Sequence, residues 1–480
     1  MIAGLTMRQA LDRAADRVLI LDEAGGLSGA QLNAAIETLA GMICRRVNPG
    51  SKVGVCYWNS VSALVAHLAV ERAGLTRVPV DATAAAREAR AIFETVGIDL
   101  LIADAEHADR GCGEVLVYDI NSSIQGNPGF EPVEVNSSST AVIFPRMASS
   151  SGLLGVPLTF QNWEARMKYS HDLYRSDVYG EPVSESDCYL TVQQMNHGTG
   201  VIGTIPFLYL GLPQVIMKQF SVEGVIEACS RYKITTTFMV PGMVTRLAGA
   251  IGADDKPTTL TRLLYGGAPL TQEELIQATR KIGPVLVQLY GSIEGGWPLT
   301  YLSQRDHAAI AAGQTDISDS CGRMIPGIEL EIRPIKSASE GRGELRVRSP
   351  AVSSSYIDPD GWCSLGDIAS CDSAGYYRLH GRLDGMINTG SYHVYPAEIE
   401  EAIRDLFPVE AVVVSGEPDP KWGEVVVAKV AWARGVSPPT YERFRAALAE
   451  RIAKYKIPAR LCNTSASGEL HPPVIGPVSR

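Results

Sequence analysis

The stretch TAVIFPRMASSSGLLGVPLTFQN, from Thr140 to Asn162, places a Ser/Gly-rich turn between two regular segments. Thr140 to Pro145 has the apolar, β-branched character of a strand, and a helix is expected directly after the turn. Backbone N–H groups of such a turn can bind phosphate oxygens. The turn, Ser149 to Pro157, contains no lysine and holds two leucines, so taken alone it is more often an ordinary turn than a phosphate site.

Upstream of this stretch, helix and strand signals alternate. Ser28 can cap a helix with Gln31 three residues on, and the apolar residues that follow fall on one helical face. A strand at Lys52 to Trp58, a helical stretch to about Glu71 and a strand at Arg77 to Val80 have the spacing of a crossover connection. These segments predict a parallel sheet.

Downstream, the alternation continues and then changes character. The crossover pattern recurs through DLLIAD, VIGTIPFLYLG, KITTTFMV and PVLVQLYG, at 99–104, 201–211, 233–240 and 284–291. After about Asp316, short β segments separated by Gly and Pro predict a small β subdomain, and the end of the chain is typical of an α+β unit. We therefore predict a large α/β N-terminal domain with parallel sheets plus the β subdomain (1–383), and an α+β C-terminal domain (384–480).

Composition limits the classes of function. The chain has 480 residues, 45% hydrophobic and 20% charged, which is typical of a globular protein with more than one domain. The net charge of −10 and the lack of a Lys/Arg cluster argue against a nucleic-acid partner. No apolar run could cross a bilayer and no secretory signal is recognised, so we expect a cytoplasmic protein without a membrane partner. The nine scattered cysteines favour reduced thiols over zinc or disulfides, which leaves small molecules or a protein as partners.

A series of short motifs follows the turn in a fixed order. The motifs are NHGTG (196–200), YGGAPL (265–270), YGSIEGG (290–296), GDIASCDSAGYYRLHGRLDG (366–385) and YPAEIEEAI (395–403). Together they resemble the adenylate-forming superfamily, which includes acyl-CoA and aryl-CoA synthetases, peptide-synthetase adenylation domains and firefly-type luciferases. The resemblance covers nearly the whole chain. It implies the fold of that superfamily, with a mobile C-terminal domain.

The resemblance also implies a site for ATP or AMP. Tyr290 and the turn Gly267-Ala268-Pro269 would sandwich adenine, because an aromatic face and a close glycine backbone suit a flat base. Asp367 would accept hydrogen bonds from the ribose hydroxyls, and Arg382 would donate to the same sugar or to the α-phosphate. Core packing of Tyr290 and a surface Asp–Arg ion pair are the alternatives. The other nucleotide contacts that the resemblance implies are Ser150, Ser151, Gly152, Gly291 and Ser292.

Two further residues take catalytic or metal-binding positions of the superfamily. Glu294 matches the magnesium-binding glutamate and could hold Mg²⁺, although standing alone it would be taken for a surface residue. His197 matches a side chain that guards the carboxylate pocket, although a single histidine beside glycines is more often structural. No acidic residue has the setting that binds an α-amino group, and TTTFMVPGM (235–243) favours an uncharged acyl or aryl acid.

The C-terminal domain carries the implied transfer machinery. Asp384 matches the hinge about which that domain swings between an adenylating and a thiol-transferring pose. Gly390 and Ser391 would line a tunnel for the thiol of coenzyme A or of phosphopantetheine. Ser391 stands where a second glycine is common, so a pantetheine arm would approach more tightly here.

Two departures from the superfamily pattern affect the phosphates. In the turn, leucines replace two hydroxyl residues, Leu158 follows Pro157 where a lysine would stand, and the flap over the β- and γ-phosphates is shortened. Near the C-terminus, Pro477 takes the place of the adenylating lysine. Losing one such positioned donor costs roughly 2.7–4 kcal/mol in other enzymes. The lysines of the last domain that could replace it are Lys454 and Lys456.

Three functions are compatible with this pattern. The first is a ligase that forms an acyl-adenylate from ATP and a small carboxylic acid, and then passes the acyl group to a thiol or amine acceptor, which a carrier protein could supply. The second is a degenerate enzyme that catalyses only the acyl transfer. The third is a non-catalytic ligand-binding protein. The adenosine-binding residues favour the first function, whereas the missing lysines put the splitting of ATP in doubt.

Overall fold

The structure is a computed structural model that describes residues 1–23, 25–84, 86–111, 113–120, 130–148, 152–252, 257, 259–335, 341–383, 385–390, 392–419, 422–433, 435–464 and 474–475. In chain order the helices are α1 (Leu5–Arg13), α2 (Gly29–Cys44), α3 (Val61–Arg72), α4 (Ala86–Val96), α5 (Phe160–Tyr174), α6 (Gly198–Tyr209), α7 (Val222–Tyr232), α8 (Pro241–Ala250), α9 (Gln272–Ile282), α10 (Gln304–Ala311), α11 (Pro396–Leu406) and α12 (Tyr441–Ala449).

The strands alternate with these helices through most of the chain. They are β1 (Val18–Asp22), β2 (Gly25–Ser28), β3 (Lys52–Cys56), β4 (Thr76–Pro79), β5 (Leu100–Ala103), β6 (Glu114–Val117), β7 (Thr140–Ala148), β8 (Gly152–Thr159), β9 (Tyr189–Thr191), β10 (Gln214–Ile216), β11 (Thr236–Met239), β12 (Arg262–Gly266), β13 (Leu286–Ser292), β14 (Gly296–Leu302), β15 (Gly322–Met324), β16 (Glu329–Pro334), β17 (Gly343–Arg348), β18 (Cys363–Cys371), β19 (Tyr376–Arg382), β20 (Ile387–Thr389), β21 (Tyr392–Val394), β22 (Val409–Asp419), β23 (Gly423–Trp432), β24 (Arg460–Thr464) and β25 (Val474–Ile475).

Thirteen of the described strands form the largest sheet, in the order β16-β17-β18-β19-β15-β14-β13-β12-β11-β9-β10-β1-β2. Its middle, from β13 to β1 along that order, is parallel, as the alternating segments predict. The carboxyl ends of β11, β12 and β13 therefore meet at one edge of the sheet. Ligands of open α/β sheets bind at such an edge, and the motifs YGGAPL and YGSIEGG both begin there.

A second sheet has the order β6-β5-β3-β4-β7-β8 and contains the predicted crossover. Strands β3 and β4 are parallel, and α3 connects them. The predicted cap of α2 is also confirmed, because the Ser28 hydroxyl accepts the Gln31 N–H at 3.3 Å and the Gln31 side chain accepts the Ser28 N–H at 2.9 Å. Local sequence signals were sufficient for these elements.

The expectation of a turn that leads directly into a helix is wrong. Gly152–Thr159 forms β8, which pairs antiparallel with β7 and places Gly152 opposite Ala148. Helix α5 begins only at Phe160. The Thr159 hydroxyl caps it by accepting the N–H of Asn162 at 3.1 Å. Val156 and Leu158 are fully buried in the strand, so burial of alternate apolar residues explains why this segment is extended.

Two other segments differ from their sequence interpretation. The apolar segment 201–211 lies mostly in helix α6 rather than in a strand, and its buried residues, such as Phe207 and Leu208, show that the helix is enclosed by other elements. A helix that is apolar all round resembles a buried strand in composition. The short β segments after Asp316 are strands, but they extend the large sheet through the antiparallel pairs β14–β15 and β15–β19.

The end of the chain forms an α+β unit, as predicted. Its sheet has the order β21-β20-β23-β24-β25, with β22 on the other side of β23. Ile399, Ile403 and Phe444 are fully buried in a core of its own. Within the described part of the chain, none of the helices combines the length and apolarity that a membrane crossing requires.

Candidate functional site

Tyr290, Asp367 and Arg382 are brought together, as the motifs predict. The Tyr290 hydroxyl donates to Asp367 Oδ2 at 2.6 Å, and Arg382 Nη1 lies 3.4 Å from Asp367 Oδ1. Arg382 faces Asp367 across the antiparallel pair β18–β19 and also donates to the Leu365 carbonyl at 3.1 Å. Burial and the neighbouring Asp367 charge raise the pKa of Tyr290, so its hydroxyl stays protonated. Asp367 is buried, which excludes a surface ion pair as the description of this group.

The YGGAPL motif forms a tight turn at the end of β12. Gly267 has a φ of 89°, in the left-handed region that favours glycine. Ala268 is half-buried and Pro269 is exposed. The side-chain amide of Asn388, at the start of the C-terminal unit, donates to the Gly267 carbonyl at 2.6 Å. The predicted adenine turn is therefore in direct contact with the C-terminal unit.

The YGSIEGG motif bends the chain from β13, which contains Gly291, into β14. The Ser292 hydroxyl accepts the Gly295 N–H at 2.9 Å and so closes the bend. The Glu294 carbonyl accepts the Ser353 N–H at 2.8 Å, and Arg166 Nη2 lies 3.4 Å from the same oxygen. Arg166 is almost fully buried on α5, and its guanidinium donates a hydrogen bond to the backbone of the bend. No sequence motif had indicated this role.

Glu294 has a half-buried side chain on this bend. Mg²⁺ prefers oxygen ligands and is commonly held by one or two carboxylates together with substrate phosphates. Among the residues that the structure describes, no group of three or more His, Cys, Asp or Glu side chains could hold a metal ion. A single carboxylate such as that of Glu294 is compatible with a magnesium ion that arrives with a nucleotide.

His197 lies just before α6, beside an aspartate that the sequence analysis did not single out. Its Nε2 is 3.5 Å from Asp81 Oδ2, and the Asn196 amide is 3.4 Å from Asp81 Oδ1. Burial opposes the charged imidazole, but the hydrogen bond and charge of Asp81 outweigh it and raise the pKa of His197. Burial also opposes the charge of Asp81, yet His197 and Thr83 lower the pKa of that carboxyl to about 2. The pair keeps a proton on His197 to a higher pH than usual.

A small cavity of about 20 Å³, lined by both polar and apolar residues, adjoins strands β11, β12 and β13. Leu289, which precedes Tyr290, and Leu264, two residues before Gly266, line it together with Phe238 and Trp297. Phe238 belongs to the TTTFMVPGM stretch that favours an uncharged acid. The described residues that line the cavity include no charged side chain.

A group of side chains joins the C-terminal unit to the rest of the molecule. Lys456 Nζ pairs with Glu88 of α4 at 2.5 Å and with Glu398 of α11 at 2.9 Å. The ring of Tyr392 stacks on Tyr455 with centroids 4.1 Å apart. The Tyr392 ring also meets the His197 ring edge-on, with the ring centroids 5.9 Å apart. Lys456 is buried and paired, so of the two lysines that could replace the adenylating one, only Lys454 is exposed.

A neighbouring residue of the C-terminal unit explains why position 390 is a glycine. It has a φ of 59°, and its N–H donates to the Trp422 carbonyl at 2.8 Å. A Cβ atom at Gly390 would lie 2.6 Å from the Trp422 indole. The close approach that requires glycine here is to Trp422, and the thiol tunnel stays a prediction.

Several predicted residues lie outside the part of the chain that the structure describes. For Gly152 only the backbone pairing in β8 is described, and the same holds for Leu153 and Leu154. The predicted residues outside the described ranges are Ser150, Ser151, Asp384, Ser391 and Pro477.

Family models identify the class of protein. Residues 7–357 match the model of AMP-binding enzymes, and residues 398–466 match the AMP-binding enzyme C-terminal domain. The chain therefore belongs to the AMP-binding enzyme family, that is, to the adenylate-forming superfamily.

Individual relatives agree with this assignment. The chain is 29% identical over 257 residues to the medium/long-chain-fatty-acid–CoA ligase FadD8 of Mycobacterium tuberculosis, covering 50% of this chain and 43% of the relative. It is 29% identical over 337 residues to the 2-succinylbenzoate–CoA ligase of Bacillus velezensis, covering 68% of this chain and 65% of the relative. These matches thus span less than two thirds of either relative. The structure of the amide bond synthetase McbA from Marinactinospora thermotolerans is similar over 97% of both chains, with a TM-score of 0.84 and 25% identity.

Proposed function

We propose that this chain is an acid-activating ligase, which joins a small carboxylic acid to AMP and then passes the acyl group to a thiol or an amine. The observation that carries the proposal is the buried hydrogen-bonded group of Tyr290, Asp367 and Arg382. A buried carboxylate next to an aromatic ring and a glycine turn suits the ribose and adenine of a nucleotide. The family membership of the chain supports the same class of reaction.

In the proposed first half-reaction, a carboxylate oxygen of the acid attacks the α-phosphorus of ATP, and the bond to pyrophosphate breaks. Asp367 would hold the ribose hydroxyls, Tyr290 would keep the Asp367 carboxylate in place, and Arg382 would donate to the ribose or the α-phosphate. Glu294 would hold Mg²⁺, which offsets the charge of the phosphates when it is bound. Ser150, Ser151, Gly152, Gly291 and Ser292 are proposed as further nucleotide contacts.

In the second half-reaction, a thiol or amine attacks the acyl carbon and AMP leaves with the bonding electrons. For the preceding half-reaction, His197 is proposed to lie at the carboxylate pocket, where its proton, stabilised by Asp81, would attract the carboxylate of the acid. The region 384–480 would act as the second domain, with Asp384 as its hinge and Gly390 and Ser391 on the acceptor side. The acceptor would be coenzyme A, the phosphopantetheine of a carrier protein, or an amine.

A second candidate is an enzyme that retains only the transfer half-reaction. It is favoured by Leu158, which stands where the family's loop lysine is expected and is fully buried in strand β8. It is also favoured by Lys456, which is already paired with Glu88 and Glu398. Such an enzyme would bind AMP or an acyl-adenylate without releasing pyrophosphate from ATP.

The experiment that tests the proposal is pyrophosphate release from Mg·ATP with a panel of short carboxylic acids. Asp367→Asn should lower kcat/KM at least tenfold, because a ribose-binding carboxylate makes charge-assisted hydrogen bonds of roughly 1.5–3 kcal/mol each. Asp372→Asn makes the same chemical change in the neighbouring β18–β19 connection, where Asp372 pairs with Arg378. It should leave the rate unchanged. Equal rates for the wild type and Asp367→Asn would refute the assigned ribose contact.

A further inference from the structure

The bend that carries Glu294 is held by a buried arginine on helix α5. Arg166 is 1% exposed, and its Nη2 donates to the Ile293 carbonyl at 2.6 Å, with the Glu294 carbonyl 3.4 Å away. Its Nε donates to the Ala351 carbonyl at 2.7 Å. One guanidinium therefore joins the bend to the segment 350–354, which follows strand β17.

The same segment is joined to strand β8 by a buried serine. The N–H of Ser353 donates to the Glu294 carbonyl at 2.8 Å, and its hydroxyl donates to the Pro157 carbonyl at 2.5 Å. Ser353 is fully buried, so these hydrogen bonds are shielded from water. Pro157 is the last residue of the Ser/Gly-rich stretch in which the superfamily pattern places the phosphate contacts. The Glu294 bend and the end of that stretch are thus linked through one buried residue.

The charge of Arg166 is unusual for a residue so deeply buried. Among the residues that the structure describes, its guanidinium binds backbone carbonyls and no carboxylate, and its Nη1 has no hydrogen-bond partner. Burial lowers the pKa of Arg166 to about 9, so the group keeps its charge at neutral pH. A buried charge without a counter-ion is costly, and an apolar side chain would fill the same space without that cost. The arginine is therefore better explained by the backbone that it holds than by packing.

We infer that Arg166 and Ser353 are positioning residues for the nucleotide and its magnesium ion. They fix the backbone of the Glu294 bend against the end of the Ser/Gly-rich stretch, so that the site keeps its shape before a ligand arrives. The inference rests on the proposed function, because it takes Glu294 as the proposed magnesium ligand. It goes beyond that function by naming two residues that lie outside every motif of the superfamily resemblance.

The Mg²⁺ dependence of pyrophosphate release from ATP, with an acid that the wild type turns over, tests this role. Arg166→Met removes the hydrogen bonds and keeps an apolar chain of similar length. The Mg²⁺ concentration at half-maximal rate should rise about tenfold or more, since residues that orient a metal ligand typically change metal affinity or activity about 10–100-fold. Calorimetric AMP binding without Mg²⁺ should stay nearly unchanged. A merely destabilising substitution would lower the amount of active protein without moving that Mg²⁺ concentration.

Two control variants match these changes. Arg262 is 2% exposed and pairs with Asp187 at the start of strand β12, so Arg262→Met should lose stability but keep the Mg²⁺ dependence of the wild type. If Arg166→Met does not fold, Ser353→Ala is a smaller change that should raise the Mg²⁺ requirement in the same direction. Ser320→Ala is its control, because the buried Ser320 hydroxyl also donates to a backbone carbonyl, at 2.9 Å.

Hydrogen exchange gives a readout that needs no turnover. The Gly295 amide, which donates to the Ser292 hydroxyl within the bend, should exchange about tenfold faster or more in Arg166→Met, and at nearly the wild-type rate in Arg262→Met. An unchanged Mg²⁺ requirement in a folded Arg166→Met or Ser353→Ala variant overturns the inference. A wild type that releases no pyrophosphate with any acid contradicts the proposed function instead. The exchange rates then decide the inference, and an unchanged Gly295 rate overturns it.

Discussion

The imidazole of His197 and the carboxylate of Asp81 form a charged pair at the start of helix α6. Their pKa values shift in opposite directions, upward for His197 and downward to about 2 for Asp81. A histidine with a raised pKa adds stability that is full below its ordinary pKa of about 6.5 and is lost as the pH rises through the raised value. The aspartate adds stability above its ordinary pKa of about 3.9 that is lost as the pH falls through about 2.

We therefore predict that the pair stabilises the folded chain most strongly between about pH 4 and pH 6.5. NMR titration of the histidine rings should give His197 a pKa above its ordinary value, and Asp81→Asn should bring it down. Comparison with His197→Gln identifies the resonance. A His197 pKa that is unchanged in Asp81→Asn would show that the two groups are not coupled.

Some residues of the candidate site could be predicted from the sequence, and others could not. Tyr290, Asp367 and Arg382 could be predicted because each lies in a short motif, and the structure brings them together. Arg166 and Asp81 could not, because each acts on a residue more than a hundred positions away in the chain. Those pairs arise only when α5 packs under the YGSIEGG bend and when β4 ends next to α6.

At the scale of elements, local sequence signals predicted the helices and strands whose ends are fixed by residues close by in the chain. Helix α2 is an example, because Ser28 and Gln31 cap it across three positions. Strand β8 was missed because its partner, β7, supplies the hydrogen bonds that make it extended. Helix α6 was missed because burial on all sides removes the polar face that marks a helix. Tertiary contacts decide both cases.

The loop between β20 and β21 gives a prediction for one glycine. Gly390→Ala should destabilise the C-terminal unit, since the new Cβ would meet the Trp422 indole at 2.6 Å in addition to the strain of a φ of 59°. We expect a loss of about 1–3 kcal/mol, measured by thermal or urea unfolding. Gly435→Ala is the matched control, because Gly435 has a φ of 84° with nothing within 4 Å of its added Cβ. Equal destabilisation by the two variants would mean that Trp422 does not restrict Gly390.

At the scale of the whole molecule, three of the contacts in the described part of the chain join the C-terminal unit to the preceding residues. Asn388 donates to the Gly267 carbonyl, Tyr392 meets His197, and Lys456 pairs with Glu88. The sequence predicted the α+β unit itself but not these contacts, because they depend on how two separately folded surfaces meet. They bring the loop after β20 next to the predicted adenine turn and His197.

The buried Lys456 pair is the contact that a single change can test most cleanly. Glu88→Gln removes the negative charge on the N-terminal side and keeps the pair between Lys456 and Glu398. The association of the C-terminal unit with the rest of the chain should become less favourable by roughly 1.5–3 kcal/mol, the value of a hydrogen bond to a charged group. Small-angle X-ray scattering should then show a larger radius of gyration, with faster proteolysis between the units.

Glu94→Gln is the control for that experiment. Glu94 is exposed on the same helix, α4, so its substitution should leave the scattering curve and the rate of proteolysis unchanged. A radius of gyration for Glu88→Gln equal to that of the wild type would mean that Lys456 does not hold the two units together.

The central claim is that this chain has an adenosine site built from Tyr290, Asp367 and Arg382, and calorimetric titration with AMP and with Mg·ATP tests it most directly. The account predicts that AMP binds to the wild type and that Asp367→Asn weakens this binding at least tenfold. Binding of Mg·ATP as tight as that of AMP would favour the full ligase reaction, and binding of AMP alone would favour the transfer reaction. A wild-type protein that binds neither nucleotide would contradict the account.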